Sequence, residues 1–398
     1  ALPMLWRASL SDDANERQQF IAAAEHCHAH NVRFPNSLDE VQMLQSLGDS
    51  AFARYLLGCF WYSKRRYDEA VSCWRETLEK SPDYAPAHRL LGVYSWNKQQ
   101  DATQALAYLQ RAVALEPDNA RFLFELDFLQ KLLARPVHER LTTLVERKAV
   151  VLKRDDLTAE LLSLWNASGH YADAAAILDT RVFHPWEGGE GKITGQYLLN
   201  QLHLALQFIE RGAFKQATDC LKAALRYPDN LGEGRLPGQT DNDIWYLLGY
   251  CAEQAGDAQQ AAEYYQLARQ GGSTLDAGRY YNDQPADYLF WQGIALRKSG
   301  NPAQAEQHFR HFIDWAAQHR DDVPQVDFFA VSLPDLVVLD VSAQQRHLQH
   351  CLFIEALGHL GLGNVSACQQ RMQQLLQINP AHDKAHLIRH ALQSGIFS

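Results

Sequence analysis

The glycine-rich segment GGEGKIT, residues 188–194, has a composition that could bind phosphate. A P-loop needs a glycine, four further residues and then Gly-Lys-Ser/Thr, all directly after a strand. Here Trp186 takes the place of the first glycine, Ile193 follows Lys192, and helical sequence precedes the segment. The spacing therefore excludes a P-loop.

Two carboxylates, Glu187 just before this segment and Glu190 within it, could act as a general acid and a general base. They lie three residues apart in a glycine-rich segment, which does not define an active site. The sequence also contains no G-x-S-x-G elbow and no H-E-x-x-H helix. No catalytic residue can be assigned.

Histidines four residues apart could ligate zinc or nickel from one face of a helix. His26 and His30 have this spacing, as do His382, His386 and His390. No cysteine or carboxylate completes either set, so we predict no metal and no cofactor. We interpret both groups as part of solvated terminal helices.

Charge and hydropathy exclude several classes of protein. The net charge is −10, and the sequence contains no basic stripe that could bind phosphates, so we predict no nucleic-acid partner. No stretch reaches the roughly 18 apolar residues that a membrane span requires. The seven cysteines are odd in number and scattered, mostly within apolar helical runs, which favours a reducing compartment, the cytoplasm. The start ALPMLWRASLSDD has no signal-peptide pattern and no initiating Met, so we expect a fragment of a longer protein.

An internal repeat supplies the elements that position these residues. Gly58 aligns with Gly92, and Pro82 with Pro117, at separations of 34 and 35 residues. In each copy a Leu-Gly pair lies in the first helix, and the second helix ends shortly before the proline. This pattern resembles the tetratricopeptide repeat, a helical hairpin of about 34 residues.

Further copies predict that the pattern extends through most of the chain. The strongest copy contains Trp245, Gly249 and Tyr265, and others surround Gly293 and Gly363. Only PDLVVLDV, residues 334–341, alternates like a strand over more than a few residues. We predict an all-α, right-handed solenoid of tetratricopeptide-like hairpins. Weaker or degenerate copies occupy residues 14–47, 119–154, 161–180 and 202–228. We divide the chain into four predicted blocks: an N-terminal cap (1–50), a first repeat block (51–180), repeats with insertions (181–343) and a C-terminal repeat with its capping helix (344–398).

Four connections are too long for this architecture: residues 181–197, 226–243, 270–287 and 320–342. Each follows the second helix of one repeat, so we expect all four to project from one edge of the solenoid as a shared surface. Aromatic rings beside polar side chains suit both sugars and protein interfaces. Packing between hairpins, a domain interface and a small-molecule pocket all remain open. The candidate ligand or interface residues are Trp186, Glu187, Glu190, Arg235, Arg279, Tyr280, Tyr281, Phe328 and Phe329.

Two of these insertions, FHPWEGGEGKITGQY and DFFAVSLPDLVVLD, are similar to those of a bacterial family of unassigned function. Its members carry an N-terminal aldose-epimerase-like β-sandwich followed by tetratricopeptide repeats, and they tend to accompany sugar-utilisation genes. The resemblance implies that this chain is the C-terminal half of such a protein. Its partner would be its own N-terminal domain or another protein, with a carbohydrate as a possible ligand.

The sequence therefore predicts an interaction scaffold within a larger carbohydrate-related bacterial protein. The alternative is an enzyme of carbohydrate metabolism, of glycosidase or epimerase type. Its site would be shared between the missing domain and the four insertions, so this fragment alone would not be an enzyme.

The acidic charge gives a first testable prediction. We expect no salt-sensitive binding to duplex DNA or single-stranded RNA in fluorescence anisotropy titrations between about 50 and 200 mM salt, because phosphate affinity depends on clustered cations. Micromolar binding that weakens steeply as salt is added would contradict this assignment.

Overall fold

The computed structural model describes residues 1–30, 33–278, 283–324 and 338–397, without the side chains of residues 29 and 30. Over these ranges the chain forms 21 α-helices and no β-strand, which confirms the all-α solenoid of tetratricopeptide-like hairpins. In the same ranges no helix is both long and apolar enough to cross a membrane. The chain divides into two compact units, residues 1–129 with 338–340 (unit 1) and residues 130–337 with 341–398 (unit 2). This division does not test the repeat blocks predicted from the sequence.

Unit 1 contains two hairpins of the predicted kind, α4 with α5 and α6 with α7. The helix α6 continues into a short π-helical turn, Ser95–Gln99. The helices are α1 (Leu2–Leu10), α2 (Ala14–His30), α3 (Leu38–Ser46), α4 (Ala51–Ser63), α5 (Tyr67–Lys80), α6 (Ala85–Tyr94), α7 (Ala102–Leu115) and α8 (Ala120–Leu132), the last of which extends into unit 2.

Unit 2 contains the hairpins α13 with α14, α15 with α16, α17 with α18 and α19 with α20, followed by one final helix. A 3₁₀ turn, Asp229–Leu231, interrupts the connection after α14. The helices are α9 (Val137–Glu146), α10 (Lys148–Val151), α11 (Asp155–Ser168), α12 (Tyr171–Leu178), α13 (Lys192–Glu210), α14 (Phe214–Ala224), α15 (Asn242–Gln254), α16 (Ala258–Ala268), α17 (Tyr288–Lys298), α18 (Pro302–His319), α19 (Ala343–Gly361), α20 (Val365–Ile378) and α21 (Asp383–Gln393).

In four of the hairpins the two helices meet at a glycine. A Cβ atom on Gly249 of α15 would lie 2.7 Å from ring atoms of Tyr265 on α16, and one on Gly58 would lie 2.4 Å from Nε1 of Trp74. Both are closer than real Cβ contacts, so only glycine allows the helices to approach this far. The same relation holds between Gly92 and Leu109 and between Gly293 and Phe309, which confirms the alignment of the repeats.

The ends of the predicted insertions are the main departure from the sequence analysis. Residues 192–197 are helical, because α13 begins at Lys192, so the prediction of a loop is wrong there. Gly195 therefore lies within a helix. A Cβ at this position would meet no atom within 4 Å, and a helix tolerates an isolated glycine at modest cost. The second insertion likewise ends at Asp241, because α15 begins at Asn242.

A pair of glycine substitutions tests the hairpin contact. We expect Gly249→Ala to lower the free energy of unfolding by about 1–3 kcal/mol, because the added methyl group overpacks the contact with Tyr265. The matched control Gly195→Ala adds the same methyl group within a helix but meets no neighbour, and should be neutral or stabilise by up to about 1 kcal/mol. Urea unfolding measures both. Equal effects of the two substitutions would show that the repeats are assigned in the wrong register.

Candidate functional site

The first loop, residues 181–191, connects α12 to α13 and is held at its start by one carboxylate. The guanidinium of Arg181 donates to Oδ1 of Asp155 at 2.6 Å and to the carbonyl oxygen of Leu152 at 2.7 Å. The other oxygen of Asp155 accepts from the backbone N–H of His184 at 3.0 Å. Phe183 between them is buried. The loop therefore leaves α12 in a defined direction.

The second loop, residues 225–241, packs directly on the first. The backbone N–H of Phe183 donates to the carbonyl oxygen of Asn230 at 2.7 Å. The side-chain amide of Asn230 donates in turn to the carbonyl oxygens of Leu178 and Arg181, at 2.7 and 2.8 Å. These bonds cross from one hairpin connection to the next, so the two loops form one surface.

The carboxylate of Glu233, in the second loop, caps α13, the helix that follows the first loop. Both oxygens of Glu233 lie 3.1 Å from the backbone nitrogen of Gly191, the residue before α13. The N-terminus of a helix carries partial positive charge, which favours a carboxylate at this point. Beside it, Gly232 has a φ of 79°, and a Cβ there would lie 2.5 Å from the carbonyl oxygen of Phe183. Both contacts require the loops to pack closely.

Trp186 lies on this surface, with its indole covering the turn beneath it. A Cβ on Gly189 would be 2.0 Å from Cε2 of the indole, so only glycine fits under the ring. The Nζ atom of Lys192 is 5.9 Å from the centre of the ring, within the range of a cation–π contact. Trp186 is half-buried, whereas Val182 is 62% and His184 81% exposed. The first loop thus presents an aromatic and an aliphatic side chain to solvent.

The structure describes four of the residues predicted for the site, namely Trp186, Glu187, Glu190 and Arg235. Glu187 and Glu190 are exposed on the first loop, near Trp186 in sequence. Arg235 on the second loop is ion-paired with Asp241, whose carboxylate is almost fully buried, so its guanidinium balances an internal charge. Arg279, Tyr280, Tyr281, Phe328 and Phe329 lie outside the described residues, as does His30 beyond its backbone.

The cavity nearest in sequence to the second loop does not include Trp186. A cavity of about 370 Å³ opens at the start of the second loop, lined by Lys222, Ala223, Leu225 and Arg226, and Trp186 is not among its lining residues. Small-molecule sites usually enclose most of their ligand. This cavity does not enclose the indole of Trp186.

A second polar region, which the sequence analysis missed, lies where α21 packs on α11 and α13. Ser163 donates to Oδ1 of Asp383 at 2.8 Å, and the amide of Gln196 donates to Oδ2 at 2.7 Å. The network continues from Asn166 to Gln196 at 3.0 Å and from Asn200 to Asn166 at 2.9 Å. These hydrogen bonds hold the start of α21 on the first helices of two hairpins.

The next residue of α21 is bound to two further first helices. The Nζ atom of Lys384 lies 3.2 Å from Asp287 and 3.7 Å from Asp243, at the starts of α17 and α15. Burial acts to lower the pKa of Lys384, but the two carboxylates outweigh it and the pKa is raised. Burial also raises the pKa of Asp243. The Nζ atom lies 5.4 Å from the centre of the Tyr288 ring.

The histidines of α21 are not solvated, so the sequence interpretation is wrong for them. His386 and His390 are buried, 8% and 9% exposed, because this helix packs on the face formed by the first helices. Nδ1 of His390 is 2.8 Å from Nδ1 of His203 on α13, and Nε2 lies 3.4 Å from Glu210. Burial lowers the pKa of His203, His386 and His390, and it lowers the pKa of His382, the residue before α21, to about 4.

No group of three or more His, Cys, Asp or Glu side chains within the described ranges could hold a metal ion.

The spacing of Gln196, Asn200 and His203 is the sequence signal that could have revealed the buried network. They recur every four and three residues, so they form one polar face of α13, and all three are buried. A polar face that is buried must meet polar partners. In unit 2 the chain's own last helix supplies them.

The comparison with protein families matches two parts of the chain. The sequence model described as tetratricopeptide repeat matches residues 62–120 and 202–278. These ranges include the glycine contacts of Gly92 with Leu109 and of Gly249 with Tyr265. The repeats support a protein-interaction scaffold.

Solved structures with similar folds include three helical proteins. PilW, a widely conserved type IV pilus biogenesis factor, is 17% identical over 54% of this chain and 90% of its own, with a TM-score of 0.29. Naa15/Naa10 bound to HypK-THB is 13% identical over 96% of this chain and 62% of that chain, at 0.40. The apo form of the quorum sensor NprR from B. thuringiensis is 12% identical over 95% and 97%, at 0.33. These TM-scores are too low to argue for any specific partner.

The buried histidines predict how stability depends on pH. Histidines of the unfolded chain take up protons near pH 6.5, whereas burial lowers the pKa of His203, His386 and His390, so these three take up protons only at lower pH in the fold. The unfolded state therefore binds more protons below about pH 7, and the free energy of unfolding falls as the pH drops, by up to about 1.4 kcal/mol per pH unit for each such histidine. Burial raises the pKa of Asp243 and Asp383. At lower pH these two carboxylates therefore take up protons in the folded state before the unfolded state does, and this contribution raises the free energy of unfolding as the pH drops.

Variants separate these contributions. Between pH 7.5 and 5.5, His203→Gln should show a shallower loss of stability than the wild type in urea unfolding, whatever its stability at pH 7.5. His138→Gln, at an exposed position on α9, should keep the wild-type slope. A slope for His203→Gln equal to that of the wild type would mean that this buried contact does not control the pH dependence.

Proposed function

We propose that this chain is a scaffold that docks a protein partner through the surface of the first and second loops. The observation that carries the proposal is that these loops are hydrogen-bonded to each other through Asn230 and Glu233, with Trp186 half-buried on top. A fixed surface with an accessible tryptophan side chain is typical of a binding hot spot, because little conformational entropy is lost when it binds.

The position of α21 supports the choice of this surface in unit 2. The first helices of the repeats already contact Asp383, Lys384 and His390. A partner that bound there would have to displace buried ion pairs and hydrogen bonds, which is costly. The loops can be contacted without such a rearrangement.

The finer part of the proposal rests on the similarity of the insertions to those of the bacterial family. We infer that the partner is an aldose-epimerase-like β-sandwich, joined to this chain in one cytoplasmic, carbohydrate-related protein. Glu187 and Glu190 are exposed around Trp186, so the matching surface of the partner should present an apolar pocket with cations at its rim.

A binding measurement tests this proposal. By isothermal titration calorimetry, Trp186→Ala should weaken binding of a separately expressed β-sandwich by at least about tenfold, or about 1.4 kcal/mol, because a central aromatic residue carries a large share of binding energy. Trp74→Phe, in the core of α5, should change stability but not affinity.

Equal affinities of wild type and a folded Trp186→Ala variant would reduce the first loop to a connector. Turnover of a sugar by the joined halves, abolished by changes in these loops, would instead favour the alternative of a shared active site.

A further inference from the structure

The end of α6 in unit 1 has an unusual backbone. Residues Ser95–Gln99 continue the helix as a π-helical turn, and Gln100 after it has a φ of 57°, in the left-handed region. Single π-helical turns are rare and often occur at functional sites, because the wider turn changes the direction of the side chains. The two side chains in question are those of Trp96 and Asn97.

These two side chains bind the backbone of a short segment that lies far away in sequence. The amide of Asn97 donates to the carbonyl oxygen of Val338 at 2.8 Å and accepts from the backbone N–H of Asp340, also at 2.8 Å. The indole N–H of Trp96 donates to the carbonyl oxygen of Asp340 at 2.9 Å. Leu339, between the two bonds from Asn97, is fully buried.

This arrangement combines the two requirements of peptide recognition. Hydrogen bonds to the main chain give affinity without regard to sequence, and a buried side chain gives specificity. An asparagine amide has both an NH2 group that donates and a carbonyl oxygen that accepts, so it can bind the peptide groups on both sides of Leu339 at once. A connection that merely crossed this turn would need neither the double hydrogen bond nor a buried leucine.

Charge at the same end of the hairpin favours an acidic segment. Tyr62 lies close to Asn97 and Asp340, and burial together with the nearby Asp340 raises its pKa. The exposed residues Lys64 and Lys98 follow Tyr62 and Asn97 closely in the chain, and Nζ of Lys98 lies 5.1 Å from the centre of the Tyr67 ring. Exposed lysines this close in the chain to Tyr62 and Asn97 favour a carboxylate one residue after the leucine.

We propose that Trp96 and Asn97 form a peptide-recognition site on unit 1, and that its ligands are short segments in which an aliphatic residue, leucine and aspartate follow one another. Residues 338–340 fill the site in this structure as a ligand from the same chain. A partner with a segment of the same chemistry competes for it. This site is separate from the loop surface proposed above, because it uses none of its residues.

Emptying the site tests the proposal. In the full chain, Leu339→Glu should expel residues 338–340, because a buried carboxylate without a partner is unfavourable. A fluorescent peptide with the sequence of residues 336–342, LVVLDVS, should then bind at least about tenfold more tightly than to the wild type, as measured by anisotropy. Adding Asn97→Ala to this variant should weaken binding at least about tenfold, whereas adding Gln99→Ala, in the same turn, should not.

Two results would overturn the proposal: no binding to a Leu339→Glu variant that keeps its helical circular dichroism, or binding that does not depend on Asn97. If Leu339→Glu does not fold, hydrogen exchange in the otherwise unaltered chain decides the question. The Asp340 amide should exchange at least about tenfold faster in Asn97→Ala than in wild type or Gln99→Ala, and an unchanged rate would show that Asn97 does not hold the segment.

Discussion

The contact between a glycine of the first helix and a large side chain of the second is the constraint on which the fold depends. In α15 and α16 it brings Gly249 onto the ring of Tyr265, and the separation of the two helices follows from it. A hairpin packed this way buries its apolar stripe against neighbouring hairpins and leaves two other surfaces, the face of the first helices and the edge of the connecting loops. The function of each unit is then determined by what covers these surfaces.

In unit 2 the face of the first helices is covered by α21, and the cover is polar. Asp383, Lys384 and His390 would be unfavourable there without partners, but Gln196, Asp287 and His203 supply them. Such a network stabilises one position of the helix, because any shift would leave a buried charge or amide unpaired. In the described part of unit 2, Val182 and Trp186 of the first loop keep exposed surface outside this cover.

The sequence predicted the hairpins well because their signal is local and repeated. Gly58, Gly92, Gly249 and Gly293 could all be assigned from spacing alone, and the structure confirms each contact. Contacts between loops carry no such signal. Nothing in the sequence indicates that Glu233 caps the helix after Gly191, because the two residues are far apart and both lie in glycine-rich segments.

The histidines of α21 were misinterpreted for a related reason. Their spacing shows only that they share one face of a helix, and it cannot show whether that face meets water or protein. The decisive information lay in α13, where Gln196, Asn200 and His203 form a polar face that is buried. Considered together, the polar faces of α13 and α21 would have predicted that these two helices pack against each other.

The central claim is that partners bind the loops of unit 2 and leave its first-helix face undisturbed. Hydrogen exchange with mass spectrometry, with and without saturating β-sandwich partner, tests it most directly. The account predicts slower exchange in residues 181–191 and 225–241 and unchanged exchange in α13, α15 and α21. Protection of α13 and α15 together with faster exchange in α21 would contradict it, since it would mean that the partner replaces the last helix.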